Sequence, residues 1–272
     1  LIFMSFKELP IMSEKDKGTV MFYPYISKKS PNNIKKILSG RWIGQGPMVD
    51  KFENKFKKKF CGNHNAVATG SGTDSLHLAY ILAGLKKGDE VISTVFTCTA
   101  TNIPLLYMGI KIKFADIDLK TMNISIKSVK KLISKKTKAI VCVHYGGLPC
   151  DMDELQKLAN KYRIPIIEDA AHAMGAKYKN KPIGSISDFT TFSFQAVKNL
   201  PTADSGMICF KNETDDLLPN GILNEGSTHY QFLVTRSYLE IYWVAYITND
   251  IKMVSCAAII LTGLSFLPHD KP

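Results

Sequence analysis

An apolar run that ends in two acidic residues restricts the fold of this chain more than any other feature. Residues 163–176 read RIPIIEDAAHAMGA, so the apolar positions stop at Glu168 and Asp169 and small residues follow. This order predicts a buried strand that carries carboxylates at its C-terminal end, just before a helix. Open α/β sheets bind their ligands at that edge, so we expect a reactive centre there.

A second stretch, residues 188–206, reads DFTTFSFQAVKNLPTADSG and places Lys198 beside Ala196, Val197 and Leu200. We expect these apolar neighbours to desolvate the lysine and to favour the free amine, which attacks carbonyls. Lys198 follows Asp169 by 29 residues. A pyridoxal phosphate (PLP) enzyme needs such a pair, because the lysine carries the cofactor as a Schiff base and the carboxylate keeps the pyridine nitrogen protonated. A surface lysine and a helix-capping aspartate are the alternative interpretation.

Strand-like and helix-like segments alternate along most of the chain. Apolar runs predict strands that end at Thr69 and that span about 111–116 and 138–144, and helical periodicity covers about 125–133. Strands separated by helices at this spacing predict an α/β fold, in which a mostly parallel sheet is sandwiched by helices.

A glycine turn, Gly70-Ser71-Gly72-Thr73, opens a predicted amphipathic helix. The first N–H groups of a helix and its positive dipole end attract anions, so this turn is a candidate phosphate cradle. Ser71 and Thr73 are also ordinary helix-capping residues, and the turn alone does not separate the two interpretations.

Charge and hydropathy exclude two classes of partner. The net charge is +11, yet only Arg41, Arg163 and Arg236 are arginines, and the lysines are scattered, so we expect no nucleic acid. The lysine-rich residues 55–59 alternate with Phe52, Phe56 and Phe60, as on the solvated side of an amphipathic helix. The longest uncharged run, residues 253–267, is shorter than a membrane span, so we expect a buried helix there and no membrane.

The cysteines indicate a reducing compartment and no metal site. Six occur without paired spacing, so we expect reduced thiols in a cytoplasmic protein and no disulfide. Cys142, His144 and Cys150 match no zinc spacing, and a buried cysteine within a strand is the preferred interpretation of Cys142.

Several motifs in order resemble one family. The matching segments lie between about residues 20 and 212 and read GRWIGQGPMVDKFE, SGTDSLHLA, GDEVIST, TKAIVCVHYGG, EDAAHAMGA and GSISDFTTFSFQAVK. Together they resemble the sugar-nucleotide aminotransferases of the DegT/StrS type. The resemblance implies the large domain of the PLP-dependent transferase fold type I.

The resemblance also implies roles for individual residues. Lys198 would be the Schiff-base lysine, and Asp169 would pair with the pyridinium nitrogen. The other implied cofactor contacts are the phosphate ligands Gly72, Thr73 and Ser193, the ring-stacking Phe96, and His172 near the ring substituents. Relatives that carry histidine in place of the lysine perform a dehydration, and Lys198 argues against that branch.

The implied reaction moves an amino group from an amino acid, expected to be glutamate, to a nucleotide-linked keto-sugar in polysaccharide or glycoconjugate biosynthesis. The implied assembly is a homodimer. Two alternatives stay open at this point: a non-catalytic or regulatory protein that keeps the fold, and another PLP activity.

The resemblance has limits. Ser205 stands where the family has the first glycine of a pair, and Asn249 is one position out of register with a phosphate-binding asparagine, so that role is not transferred. We expect an extension over residues 1–20, a PLP-binding domain over 21–235, and the start of an incomplete C-terminal region over 236–272. We also expect, because the first residue is Leu1 and the family's smaller domain is missing, that this sequence is a fragment that binds PLP weakly by itself.

Overall fold

The structure is a computed structural model, and it describes residues 26–40 and 46–211. The helices are Ser30–Leu38 (α1), Pro47–Phe56 (α2), Gly72–Leu82 (α3), Thr99–Tyr107 (α4), Ile126–Leu132 (α5) and Met152–Tyr162 (α6). The strands are Asn65–Thr69 (β1), Glu90–Thr94 (β2), Lys111–Ala115 (β3), Thr137–Val143 (β4), Ile166–Asp169 (β5), Lys177–Tyr178 (β6), Lys181–Pro182 (β7), Phe189–Ser193 (β8) and Gly206–Phe210 (β9).

A seven-stranded sheet forms the centre of the described region, in the order β1-β9-β8-β5-β4-β2-β3. Neighbouring strands pair in parallel along the part of this order that runs β8-β5-β4-β2-β3, whereas β9 is antiparallel to both β8 and β1. The predicted mostly parallel sheet is therefore confirmed. Parallel neighbours bring the carboxyl ends of β5 and β8, which carry the predicted site residues, to one edge.

Helices cover both faces of the sheet. Successive residues of a strand point to opposite faces, so each strand contributes side chains to both packed layers. Val141 and Ile167 pack with α3 and α4 on one face. Ile140 and Ile166 pack with α5 and α6 on the other. Buried strands of this kind read as nearly continuous apolar runs, which is what made them visible in the sequence.

Helix termini follow local sequence signals in some places and not in others. Asp151 caps α6 by accepting a hydrogen bond from the Glu154 N–H at 3.2 Å. From the sequence, Ser30 followed by Pro31 predicts a helix capped by Ser30. That prediction is wrong, because Lys29 occupies the cap position and Ser30 already lies inside α1. Pro31 tolerates an early helical position because the N–H it lacks would be unpaired there.

The lysine-rich segment is helical, as expected. α2 ends at Phe56 and continues as a π-helix over Lys57–Cys61. The Phe56 ring is buried and packs edge-on against Phe192 and Phe194 of the β8 region. The phenylalanines therefore attach this helix to the sheet.

One prediction about the cysteines is wrong. Cys61 and Cys209 form a disulfide between the π-helix and β9, with their Cα atoms 6.2 Å apart. This pairing could not be predicted from the sequence, because 148 positions separate the two residues and only the fold brings them together. Cys142 and Cys150 are free and buried, and Cys98 is free and exposed.

The described residues contain neither a metal-type cluster nor a membrane-spanning helix. Within residues 26–40 and 46–211, no three His, Cys, Asp or Glu side chains group as a metal site requires. None of the helices in the same ranges is long and apolar enough to cross a membrane.

Several predictions fall outside the described residues. They concern the extension over residues 1–20, the domain boundary at 235, the helix over 253–267 and Asn249.

Candidate active site

Two strand ends form the floor of the candidate site. Asp169 ends β5 and Ser193 ends β8, and both side chains are largely buried. The strands are parallel neighbours in which Asp169 pairs with Thr191. Ser193 is two residues after Thr191, so its side chain points to the same face of the sheet. Both functional side chains therefore emerge at the same edge, on the face that α3 and α4 cover.

The N-terminus of α3 lies directly against Ser193. A Cβ added to Gly72 would lie 2.7 Å from the Ser193 Cβ, closer than real Cβ atoms approach, and 3.1 Å from its Oγ. The predicted capping role of Ser71 is confirmed, since its Oγ accepts the Asp74 N–H at 3.1 Å. Thr73 is exposed in the first turn of α3. Backbone N–H groups at such a helix start suit an anion.

At Gly206 the start of α3 again comes very close to the sheet, and this contact was not predicted from the sequence. Gly206 begins β9, and a Cβ there would overlap the Ser71 carbonyl oxygen and the Ser75 Oγ. The absence of a side chain at residue 206 therefore lets α3 rest on the sheet. The preceding Ser205, which departs from the family pattern, instead forms a hydrogen bond with Thr202.

The carboxylate of Asp169 is held by two donors. Thr101 Oγ1 on α4 donates to Oδ2 at 2.6 Å, and the Ala171 N–H donates to Oδ1 at 3.1 Å. The His144 N–H also donates to the Asp169 backbone carbonyl at 3.1 Å. Sequence reasoning found Asp169 but missed Thr101, because 68 positions separate the pair.

Three rings form a row beside the site. The ring centroids of Phe96 and Tyr145 are 4.6 Å apart, and those of Tyr145 and His172 are 6.1 Å apart. Phe96 and His172 were predicted, but Tyr145 was not. The Tyr145 loop is fixed by Asn123, whose side chain accepts the Tyr145 N–H and donates to the Leu148 carbonyl, both at 2.9 Å.

His172 presents an unused hydrogen-bonding atom. Its Nδ1 is buried and has no hydrogen-bond partner among the described residues. Burial, together with the positive charge of Lys198, lowers the pKa of His172. The ring is therefore neutral at pH 7, and a polar group of a bound ligand would satisfy it.

Lys198 lies in the loop after β8, near enough to His172 to influence its charge. The side chain is partly buried. Its expected apolar surroundings are not provided by its sequence neighbours, since Val197 is 44% exposed and Leu200 is 39% exposed. Val197 and Leu200 do not cover Lys198, because an irregular loop does not keep consecutive side chains on one side.

These residues fit PLP on two observations. The glycine cradle at Gly72 and Ser193 leaves room for no side chain but offers N–H groups and a hydroxyl, as a phosphate requires. The unpartnered His172 Nδ1 offers a hydrogen bond to a ring substituent. Of the predicted residues, the structure joins Gly72 to Ser193, and links His172 electrostatically to Asp169 and Lys198.

A polar cluster lies behind the site, on the opposite face of β5. Glu168 is fully buried and accepts hydrogen bonds from His144 Nε2 at 2.7 Å, Thr190 Oγ1 at 2.8 Å and the Ser187 N–H at 3.3 Å. Burial raises the pKa of Glu168, but these donors outweigh it and the net pKa is lowered. The neighbour of Asp169 is therefore a buried, ionised carboxylate.

Two similar proteins have names that state a function. The chain is 40% identical over 190 residues to the spore coat polysaccharide biosynthesis protein SpsC of Bacillus subtilis, covering 70% of this chain and 49% of that protein. It is 35% identical over 251 residues to GDP-perosamine synthase of Escherichia coli O157:H7, covering 90% of this chain and 65% of that protein. The chain thus spans about half to two thirds of the length of these relatives.

Solved structures share the fold and indicate the cofactor. The protein Spr1654 of Streptococcus pneumoniae, solved in a PLP form, matches with a TM-score of 0.69 and 29% identity over 79% of this chain and 56% of that chain. PLP is therefore the cofactor indicated for this fold. Residues 24–268 match a single family model. The chain belongs to the DegT/DnrJ/EryC1/StrS aminotransferase family.

Proposed function

We propose that this chain forms the PLP-binding part of an aminotransferase that moves an amino group from glutamate to a nucleotide-linked keto-sugar. The observation that carries the proposal is the arrangement of Asp169, His172 and Lys198 at the strand edge beside the Gly72 cradle. The name of the GDP-perosamine synthase relative supports a nucleotide-linked sugar as substrate. The name of SpsC supports a role in polysaccharide biosynthesis.

Each residue of the site has a distinct task in this proposal. When bound, PLP supplies an electron sink for the substrate Cα. Asp169 holds a proton on the ring nitrogen through its negative charge. Ser193 and the first N–H groups of α3, at Gly72 and Thr73, bind the phosphate.

Two aromatic residues orient the cofactor ring. Phe96 would lie against its face, and the neutral His172 would form a hydrogen bond to a ring substituent. Both are fixed before any ligand arrives, because Tyr145 packs between them. Preorganised contacts of this kind avoid the cost of ordering side chains during the reaction.

Lys198 performs the covalent and acid–base steps. Its ε-amine would hold the cofactor. When free, the same amine would accept a proton from the Cα of the amino donor and return it to complete the transfer. With the keto-sugar, Lys198 would move the proton in the opposite direction.

The assembly and cellular location are also part of the proposal. We propose a homodimer, because enzymes with this architecture build each active site between two subunits, and a cytoplasmic location, since Cys98, Cys142 and Cys150 are free thiols. The PLP-binding domain would extend over residues 21–235, with the remaining C-terminal residues 236–272 starting the family's smaller domain.

The test uses the full chain at saturating PLP, because binding by this sequence alone is expected to be weak. Addition of L-glutamate should convert the bound cofactor to pyridoxamine phosphate, seen as a change in its absorbance, and release 2-oxoglutarate. A panel of nucleotide-linked keto-sugars should then restore the original spectrum. A protein that binds PLP but reacts with no amino donor would support another activity on this fold, and one that does not bind PLP would refute the proposal.

A further inference from the structure

Two threonine hydroxyls form a chain that ends on Asp169. Thr97 Oγ1 and Thr101 Oγ1 lie 2.7 Å apart, and Thr101 Oγ1 lies 2.6 Å from Asp169 Oδ2. An ionised carboxylate only accepts hydrogen bonds, so the single hydroxyl proton of Thr101 points at Asp169. Thr97 must then donate to Thr101. Both donors therefore point towards the carboxylate.

We propose that Thr101 is a positioning residue for Asp169. Thr97, by donating to Thr101 Oγ1, strengthens the hydrogen bond from Thr101 to Asp169. The inference rests on the proposed function, since it assigns to the pair the task of aiming Asp169 at the cofactor ring nitrogen. Hydrogen bonds in a chain polarise one another, so the outer hydroxyl makes the inner one a better donor.

The Asp169 carboxylate has enough acceptor sites to bind the cofactor ring nitrogen in addition to its two fixed donors. Oδ2 accepts from Thr101 and Oδ1 accepts from the Ala171 N–H, so each carboxylate oxygen has one fixed donor. Each carboxylate oxygen has two acceptor sites, so each keeps one free for a third donor. The two fixed donors set the plane of the carboxylate while leaving it able to bind a protonated ring nitrogen.

Thr101 is itself held rigidly. The side chain is fully buried, and its backbone carbonyl accepts a hydrogen bond from the Tyr80 hydroxyl at 2.7 Å. Burial, together with the charge of Asp169, raises the pKa of Tyr80, so this hydroxyl stays a neutral donor. Thr97 directly follows Phe96, so the same chain of hydroxyls joins the ring-stacking loop to Asp169.

The chain offers a matched control. Thr190 is also fully buried, and its hydroxyl also donates to a carboxylate, at 2.8 Å, but the acceptor is Glu168 on the opposite face of the sheet. Thr101→Val and Thr190→Val remove the same group from equally buried sites. A general loss of packing or stability affects both variants, whereas positioning of Asp169 concerns only Thr101.

The experiment measures the ring nitrogen directly. The full chain and its Thr101→Val, Thr101→Ser and Thr190→Val variants are loaded with PLP labelled with ¹⁵N in the ring, and the nitrogen chemical shift is recorded. We expect Thr101→Val to move the signal towards an unprotonated pyridine and to weaken PLP binding about tenfold, as the loss of a hydrogen bond to a charged group predicts. Thr101→Ser should keep the signal in place, because the hydroxyl remains.

Each outcome decides the inference. An unmoved signal in Thr101→Val, or an equal shift in Thr190→Val, overturns it. If Thr101→Val does not fold, Thr97→Val at its partly exposed position provides the test: a smaller shift in the same direction supports the inference, and no shift overturns it. A wild-type protein that shows no bound-ring signal instead refutes the proposed function, so the two failures are distinguishable.

Discussion

Gly72 at the start of α3 packs so tightly against Ser193 at the end of β8 that a Cβ on residue 72 would lie 2.7 Å from the Ser193 Cβ. The contact joins a helix start to a strand end that is 121 positions away in the sequence. It places the N–H groups of the helix beside the Ser193 hydroxyl. Phosphate binding in the proposed function depends on that contact.

Gly72→Ala should therefore damage the cradle. Overpacking of this kind costs about 1–3 kcal/mol of stability, and the movement that relieves it displaces the helix N–H groups. We expect PLP binding to weaken by about tenfold, corresponding to roughly 1.4 kcal/mol. Titration with PLP, followed by absorbance, and thermal unfolding measure the two effects.

A double variant separates the two effects. Adding Ser193→Gly to Gly72→Ala removes the Cβ that causes the clash, so part of the lost thermal stability should return. PLP binding should stay weak, because the hydroxyl has gone as well. Full recovery of binding in the double variant would exclude Ser193 as a phosphate ligand.

Borohydride reduction should fix the cofactor on Lys198. The reduction makes the attachment permanent, and peptide mapping then locates the labelled residue. Lys198→Gln should prevent labelling, whereas Lys135→Gln, at an exposed loop position, should not. Label on any other lysine of the wild-type chain would reject the assignment.

Asp169→Asn should separate binding from chemistry. The amide keeps the size of the side chain but has no charge, so it holds a protonated ring nitrogen poorly. We expect the variant to retain PLP and to react with glutamate roughly 10- to 150-fold more slowly, the equivalent of one lost hydrogen bond to a charged group. Stopped-flow absorbance of the glutamate half-reaction gives the rate, and an unchanged rate would mean that another residue protonates the ring.

The sequence predicted the parts of the site that depend on local patterns. Asp169 was found because a buried strand reads as an apolar run, and the α3 turn was found because its glycines adjoin a helical period. Thr101, Tyr145 and Gly206 were missed, because each acts through a neighbour that only the fold brings close. Ordinary residue types in such places carry no signal of their own.

Glu168 was also visible in the sequence, but only as part of the acidic pair with Asp169. The alternation of a strand sends the two carboxylates to opposite faces, so only Asp169 faces the proposed cofactor site. Glu168 instead receives three donors in the interior, including His144 and Thr190. Its predicted contribution is to stability.

Glu168→Gln should destabilise the protein strongly at pH 7. A glutamine has one acceptor oxygen for three donors, and its NH₂ group would face a donor that then stays unpaired in the core. Leaving a buried donor without a partner costs about 1–3 kcal/mol. Urea unfolding at pH 7 measures the difference in the free energy of unfolding.

The pH dependence of that difference has a definite sign. The pKa of folded Glu168 lies below its ordinary value of 4.5, so its stabilising effect is complete above 4.5 and is lost as the pH falls through the folded pKa. The difference between the wild type and Glu168→Gln should therefore shrink as the pH falls below 4.5. Glu53 is the control, because burial raises its pKa and a Glu53→Gln comparison should show the opposite trend. Urea unfolding of all three proteins from pH 4.5 downwards gives both trends, and a Glu168→Gln difference that grows over this range would contradict the assignment of a buried, ionised Glu168.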